Sequence, residues 1–296
     1  MKILFFLVSC LSLFSQTCQA RIEKDVELSN VFTKMWNADT NRMEPNTDWT
    51  VNTQGYLKNL PPGQDKAKEN FYSYVNSRFF QTHKTYTTFI ALLDNYDSEI
   101  GKNEKTNAQE EKEVSDFLDA VMETKVFQIA HQHAVSKNLL PSSLSQTKDK
   151  LKSIWFTLYG RGNSADTSGF EHVFVGEVKY KSITGLHNWI QIYNEEKLGN
   201  LDYKGYFRKS CYGAPRIFTI SLGWINNSAK EYSSVFVGIS PEFEFSVYTL
   251  AFLFSEKLNA NNQSKWTPIG VQIGPCFSLI QCHRMRNKFI GSCYFI

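Results

Sequence analysis

The 296-residue sequence carries little net charge: 32 lysines and arginines stand against 29 acidic residues, a formal +3. A surplus that small does not draw a chain to a polyanion through its bulk field, so any nucleic-acid site must be a local patch. Also missing are a Gly-rich phosphate loop, an HExxH zinc motif, a GxSxG nucleophile elbow and any CxxC pair. These absences set aside the motif-defined phosphate-binding, metalloprotease, α/β-hydrolase and zinc-ribbon classes. No apolar run reaches the roughly 20 residues that a membrane-crossing helix needs, and Ile3 to Phe14 supplies only about a dozen.

That run fits a different use. Lys2 gives a positive start, Ile3 to Phe14 an apolar middle, and Cys18-Gln-Ala20 a small-residue cleavage pattern, so residues 1–20 read as a secretory signal peptide. The mature chain is expected to begin at Arg21 and to be a secreted, extracellular protein. Two of the six cysteines leave with that segment. Cys211, Cys276, Cys282 and Cys293 remain in a chain bound for an oxidising compartment, where two disulfides are expected; four cysteines allow three pairings, and sequence does not choose among them. Asn226-Asn-Ser228 and Asn262-Gln-Ser264 match the glycosylation acceptor pattern of a glycoprotein. An aromatic share of 15% supplies bulk for a sizeable core.

The first half is dominated by helical periodicity. Leu28, Phe32 and Met35-Trp36 recur at three- to four-residue spacing, as do Phe89, Leu92-Leu93 and Tyr96. A third helix is expected from a Ser115 cap through Leu118, Val121, Val126 and Ile129 to Ser136. Pro61-Pro62-Gly63 and Gly101 to Glu111 read as loops. Past Lys150 the pattern changes, which places a boundary between a helical region over 21–150 and a second region over 151–296. There Phe170 to Val178, Ile217 to Leu222, Val235 to Ile239 and Ile269 to Ile273 read as short strands, with helices between them that do not strictly alternate. That arrangement predicts an α+β fold rather than a doubly wound parallel sheet. Ser240-Pro241 reads as a cap and first helical residue, followed by the buried stripe Phe243, Val247, Leu250 and Phe254.

With the motif-defined classes gone, histidines carry the chemistry. His83, His131, His133 and His283 show no partner pattern and read as surface or core residues. His172 follows the Gly loop of Ser168-Gly-Phe-Glu-His, and His187 lies in Gly185-Leu-His-Asn-Trp189, where a loop enters a helix. Both stand at the starts of elements, where a side chain can face a cleft.

The segments around them extend the reading. Glu27–Met43, Phe89–Tyr96, Phe117–Val126, Ile154–Phe156, Gly169–Glu177, Gly185–Trp189, Asp202–Tyr206 and Ile239–Phe245 together resemble the EndoU family of uridylate-preferring endoribonucleases, in order along the chain. The resemblance implies a catalytic group of two histidines and a lysine: His172, His187 and Lys230. Lys230 stands before the strand that leads into Ser240-Pro241, in a stretch where vertebrate members usually carry proline after the lysine; Lys204 and Lys209 are its competitors. By likeness to the coronaviral branch, His187 is the base and His172 the acid. Gly291-Ser-Cys-Tyr294 is similar to the family's final strand, which implies Ser292 and Tyr294 at the uracil, with Ser233 or Ser234 as a further hydroxyl contact. Glu171 and Glu177 are given supporting roles, and as residues of one strand they cannot both share the face of His172. Gly274 to Arg286 looks like an insertion. The resemblance also implies activation by Mn2+, for which no ligand cluster stands out, and single-stranded RNA as the partner, with a monomer favoured.

The residue types suit that chemistry. A ribose 2′-hydroxyl can attack the adjacent phosphorus if one group removes its proton and another protonates the departing 5′-oxygen. Imidazoles, titrating near ~6.5, serve either role at neutral pH. An ammonium then offsets the charge on the phosphoryl oxygens. DNA lacks the nucleophile, so RNA is selected. Two other readings remain: a secreted RNA-binding module on the same fold that does not cut, and a secreted peptidase, for which no nucleophile motif exists.

Overall fold

The computed structural model describes residues 23–102, 104, 106–160, 165–214, 216–259, 268–286 and 288–296. The expected signal peptide, the loop at 161–164 and the Asn262 acceptor lie outside the described residues; Asn226 is exposed in the turn after a strand.

The fold is α+β, as the periodicities predict. The first region holds α1 (Val26–Ala38), a small antiparallel pair β1 (Trp49–Val51) and β2 (Tyr72–Val75), then α2 (Phe79–Thr82), α3 (Lys84–Ile90), α4 (Ala108–Met122), α5 (Lys125–Ser136) and α6 (Leu144–Phe156). The expected third helix is two helices. Its first half starts at Asn107, whose side chain and that of Glu110 cap each other's backbone N–H groups. Thr124 then breaks the run by capping α5, its hydroxyl accepting from Phe127 N at 3.2 Å. Ser115 lies inside α4, because the capping box upstream of it starts the helix first.

The second region runs through a π-helical turn at Glu171–Val175, β3 (Glu177–Lys179), β4 (Ser182–Thr184), α7 (Trp189–Lys197), β5 (Asp202–Ser210), β6 (Ile217–Trp224), β7 (Ser228–Phe236), α8 (Pro241–Asn259), β8 (Ile269–Ile273), β9 (Cys276–Met285) and β10 (Phe289–Phe295). Two sheets result, ordered β3-β4-β7-β6-β5 and β10-β9-β8; every strand pair is antiparallel except β4 with β7. The strand expected over Phe170 to Val178 is instead the π turn followed by β3. All five residues of the turn are buried, Glu171 and His172 along with Val173, Phe174 and Val175, and a short, fully buried run does not reveal its period from sequence. Gly274 to Arg286, expected as an insertion, supplies β9, the middle strand of its sheet, without which β8 and β10 would have no partner.

Ser240 caps α8 as expected, its hydroxyl accepting from Phe243 N at 3.2 Å. Residues 241–255 of α8 are buried on every side, which marks a helix in the centre of the core rather than on its surface. Hydrophobic residues from both sides of position 150 join one cluster around it: Phe89 and Phe117 from the helices meet Phe170, Phe174 and Phe245 edge to face. The four cysteines pair as Cys211–Cys276 and Cys282–Cys293. The first bond joins the end of the five-stranded sheet to the start of β9; the second links facing residues of β9 and β10. The sheets also meet directly, where the Ser234 hydroxyl of β7 donates to the Phe295 carbonyl of β10.

Candidate active site

His172 and His187 are brought together by their backbones. Leu186 N donates to the His172 carbonyl at 3.0 Å and His187 N to the Val173 carbonyl at 2.9 Å, so the loop Gly185–His187 is laced along the π turn. The lacing needs glycine at 185. Its φ is +66°, and a Cβ there would stand 1.6 Å from the His172 carbonyl oxygen. Side chains of β7 then hold the loop's carbonyls: Lys230 Nζ donates to Gly185 O, and Ser233 Oγ to Leu186 O at 2.7 Å.

Each imidazole is oriented by a partner on Nδ1. His187 Nδ1 lies 3.1 Å from the Ser234 carbonyl, which can only accept, so Nδ1 carries the proton and Nε2 keeps its lone pair. Lys230 Nζ stands 3.4 Å from that Nε2. Burial first, then the neighbouring Lys230 charge, hold the His187 imidazole well below its ordinary value. Burial likewise pushes the Lys230 ammonium down to about 7, although the residue as a whole is only half-buried and it is the amine end that is enclosed.

At His172 the partner is a carboxylate: Nδ1 lies 2.5 Å from Glu177 Oε2, and Thr167 Oγ1 donates to the other oxygen of Glu177. His172 and Glu177 are five residues apart, and parity along a strand would set them on opposite faces. The π turn and Gly176, at φ +95°, remove that parity and bring them together. Such turns are rare, which is why the sequence does not show the pair, and they recur at functional sites. Glu171 acts elsewhere. Its carboxylate accepts from Ser168 N at 3.2 Å while Ser168 Oγ accepts from Glu171 N at 3.1 Å, closing the start of the turn.

Behind His187, Asn188 caps α7 by accepting from Gln191 N and donates Nδ2 to Glu244 Oε2 at 2.7 Å. Burial pushes the Glu244 carboxyl up to about 8. In front of it, the Tyr294 ring lies over the His187 ring, centroids 4.8 Å apart and planes 9° from parallel. Ser292 is buried two residues before it on β10. Ser233 and Ser234, expected near the base, direct their hydroxyls to the Leu186 and Phe295 carbonyls. Of the competing lysines, Lys209 extends over the Tyr206 ring and Lys204 toward Asp202, both on β5, at the far edge of the sheet from β3 and β4. His131 is taken up by the Pro141 carbonyl and the Thr147 hydroxyl, a core role.

Among the described residues no group of three or more His, Cys, Asp or Glu side chains is placed to hold a metal ion. The donor set therefore does not fit a protein-held Mn2+ of that kind, and no residue is assigned to one.

Known proteins resemble the chain over most of its length. The profile of the family described as Endoribonuclease XendoU matches residues 27–295. The chain is 40% identical over 282 residues to a Uridylate-specific endoribonuclease B of Danio rerio, covering 92% of this chain and 96% of that one. It is 41% identical over 279 residues to a Poly(U)-specific endoribonuclease of Xenopus tropicalis, covering 90% and 92%. The solved structure of XendoU, described as a splicing independent snoRNA processing endoribonuclease, superposes with a TM-score of 0.79 at 36% identity, over 93% of this chain and 98% of that one.

Proposed function

The chain belongs to the XendoU family of endoribonucleases, and on that premise we propose that it is a secreted enzyme that cleaves single-stranded RNA at uridylates, through the ribose 2′-hydroxyl. The observation that carries the reading is the pair of oppositely equipped imidazoles. His187 is buried, beside a lysine and protonated on Nδ1, which leaves Nε2 to take a proton. His172 has a carboxylate on Nδ1, which orients the ring and offsets the charge it bears as an acid.

In the proposed reaction His187 Nε2 removes the 2′-hydroxyl proton as the oxygen attacks phosphorus. The bond to the 5′-oxygen breaks and His172 delivers a proton to that oxygen. Lys230 Nζ offsets the negative charge gathering on the non-bridging oxygens. The products are a 2′,3′-cyclic phosphate and a 5′-hydroxyl end. Tyr294 and Ser292 border the site on β10 and are assigned to the uracil.

His172→Ala, His187→Ala and Lys230→Ala should each fold and each lose cleavage, the histidine variants by about 10²- to 10⁴-fold. Rates on an oligonucleotide with one uridine, with melting curves as the control, make the check. A folded Lys230→Ala variant at full rate would remove the lysine from the mechanism.

A further inference from the structure

β9 brings a third histidine to the site, one that the mechanism leaves unused. His283 stands directly opposite Ser292 across the β9–β10 pair. Its ring is 6.1 Å from that of Tyr294, with planes 24° apart, and Tyr294 in turn lies over His187 at 4.8 Å and 9°. The Tyr294 ring is thus near-parallel to two imidazoles, covered on one side by buried His187 and neighboured at the longer distance by half-buried His283. The Cys282–Cys293 bond, between the neighbours of His283 and Tyr294, pins the strand register that creates this arrangement.

Resting on the uridylate-cleaving reading, we propose that His283 is a further substrate-binding residue whose ring packs against the nucleobase held by Tyr294 and Ser292. Residues directly opposite on an antiparallel pair have their Cβ atoms about 5 Å apart, and diagonal neighbours remain within reach of aromatic rings. A base that rests on Tyr294 and meets Ser292 at its edge therefore also meets the imidazole, which stands beside both. Ring stacking is tolerant of which π-face is offered, so the aromatic surface of His283 is what the base uses, and phenylalanine should replace it.

The test is binding to an oligonucleotide with a single 2′-deoxyuridine, which lacks the attacking hydroxyl, and to the same oligonucleotide with an abasic residue there. His283→Ala should weaken binding to the first by about tenfold and leave the second unchanged, while His283→Phe keeps most of the affinity. An equal loss on both oligonucleotides, a loss on neither, or a Phe variant as weak as the Ala variant overturns the proposal. A substitution that acts only by displacing Tyr294 would also spare the abasic strand, so His283→Ala is repeated in a Tyr294→Ala background, where a direct contact still weakens binding to the base-bearing strand and no further loss overturns the proposal. Wild-type cleavage of the all-ribose oligonucleotide is scored separately, so the catalytic reading and the His283 contact can each fail alone.

Discussion

Two short contacts at His187 decide how the site responds to pH. The Ser234 carbonyl fixes the proton on Nδ1, and enclosure beside Lys230 holds the ring well below its usual titration range, so its basic form is present throughout neutral pH. Lys230 behaves the opposite way. With its amine pushed down to about 7, it bears below that pH, and loses above it, the charge proposed to face the phosphate. The profile of kcat/KM, which reports the free enzyme, should therefore fall as pH rises through about 7. Rates from about pH 5.5 to 9 would show it, and a profile flat across that range would mean that Lys230 is not the charged partner. Glu177 completes the contrast: it gives His172 a carboxylate where the Ser234 carbonyl gives His187 only a neutral acceptor, and the proposed division into acid and base rests on that difference.

Among the elements, the site is a loop laced onto a π turn, and Gly185 is where the lacing is tightest. Gly185→Ala sets a Cβ against the His172 carbonyl at a positive φ, and should cost about 1 to 3 kcal/mol or more in urea unfolding, with cleavage lost in the protein that still folds. A variant with wild-type stability and rate would mean that the loop does not depend on that approach. Much of this level is legible in the sequence. The cap and stripe of α8, most helices of the first half, the strands at Ile217 and Ile269, and the loop entering α7 at His187 follow from spacing and cap residues, although α3 ends at Ile90, short of the expected Leu92-Leu93 and Tyr96, and β7 runs from Ser228 to Phe236 where a strand from Val235 to Ile239 is expected. Three features do not. The π turn hides in a buried run with no period, so strand parity sets Glu177 on the wrong side of His172. The break at Thr124 lies inside an apolar pattern that continues across it. β9 buries Cys276, Ser278, Ile280 and Cys282 on one face and leaves Phe277 exposed on the other, a half-covered strand of mixed composition that the sequence reading takes for an insertion, and with it His283 goes unnoticed.

For the molecule as a whole, the candidate site lies where two sheets meet: β7 contributes Lys230 and the Ser234 carbonyl, and β10 contributes Tyr294, whose ring lies over that of His187. Cys211–Cys276 ties those sheets across 65 residues of sequence, and by loop-closure entropy its removal in a Cys211→Ser, Cys276→Ser variant should cost about 4 kcal/mol. Urea midpoints with and without the bond measure this, and unchanged midpoints would mean that the shared core alone holds the sheets in place. What the assembled site does to RNA turns on which bond is broken and which atom breaks it. Mass analysis of the products from an oligonucleotide carrying one uridine, beside its twin with 2′-deoxyuridine at that position, reads both at once. Attack by the 2′-hydroxyl gives a 2′,3′-cyclic phosphate and a 5′-hydroxyl from the first and leaves the second strand intact; cleavage of the deoxy strand would rule that attack out.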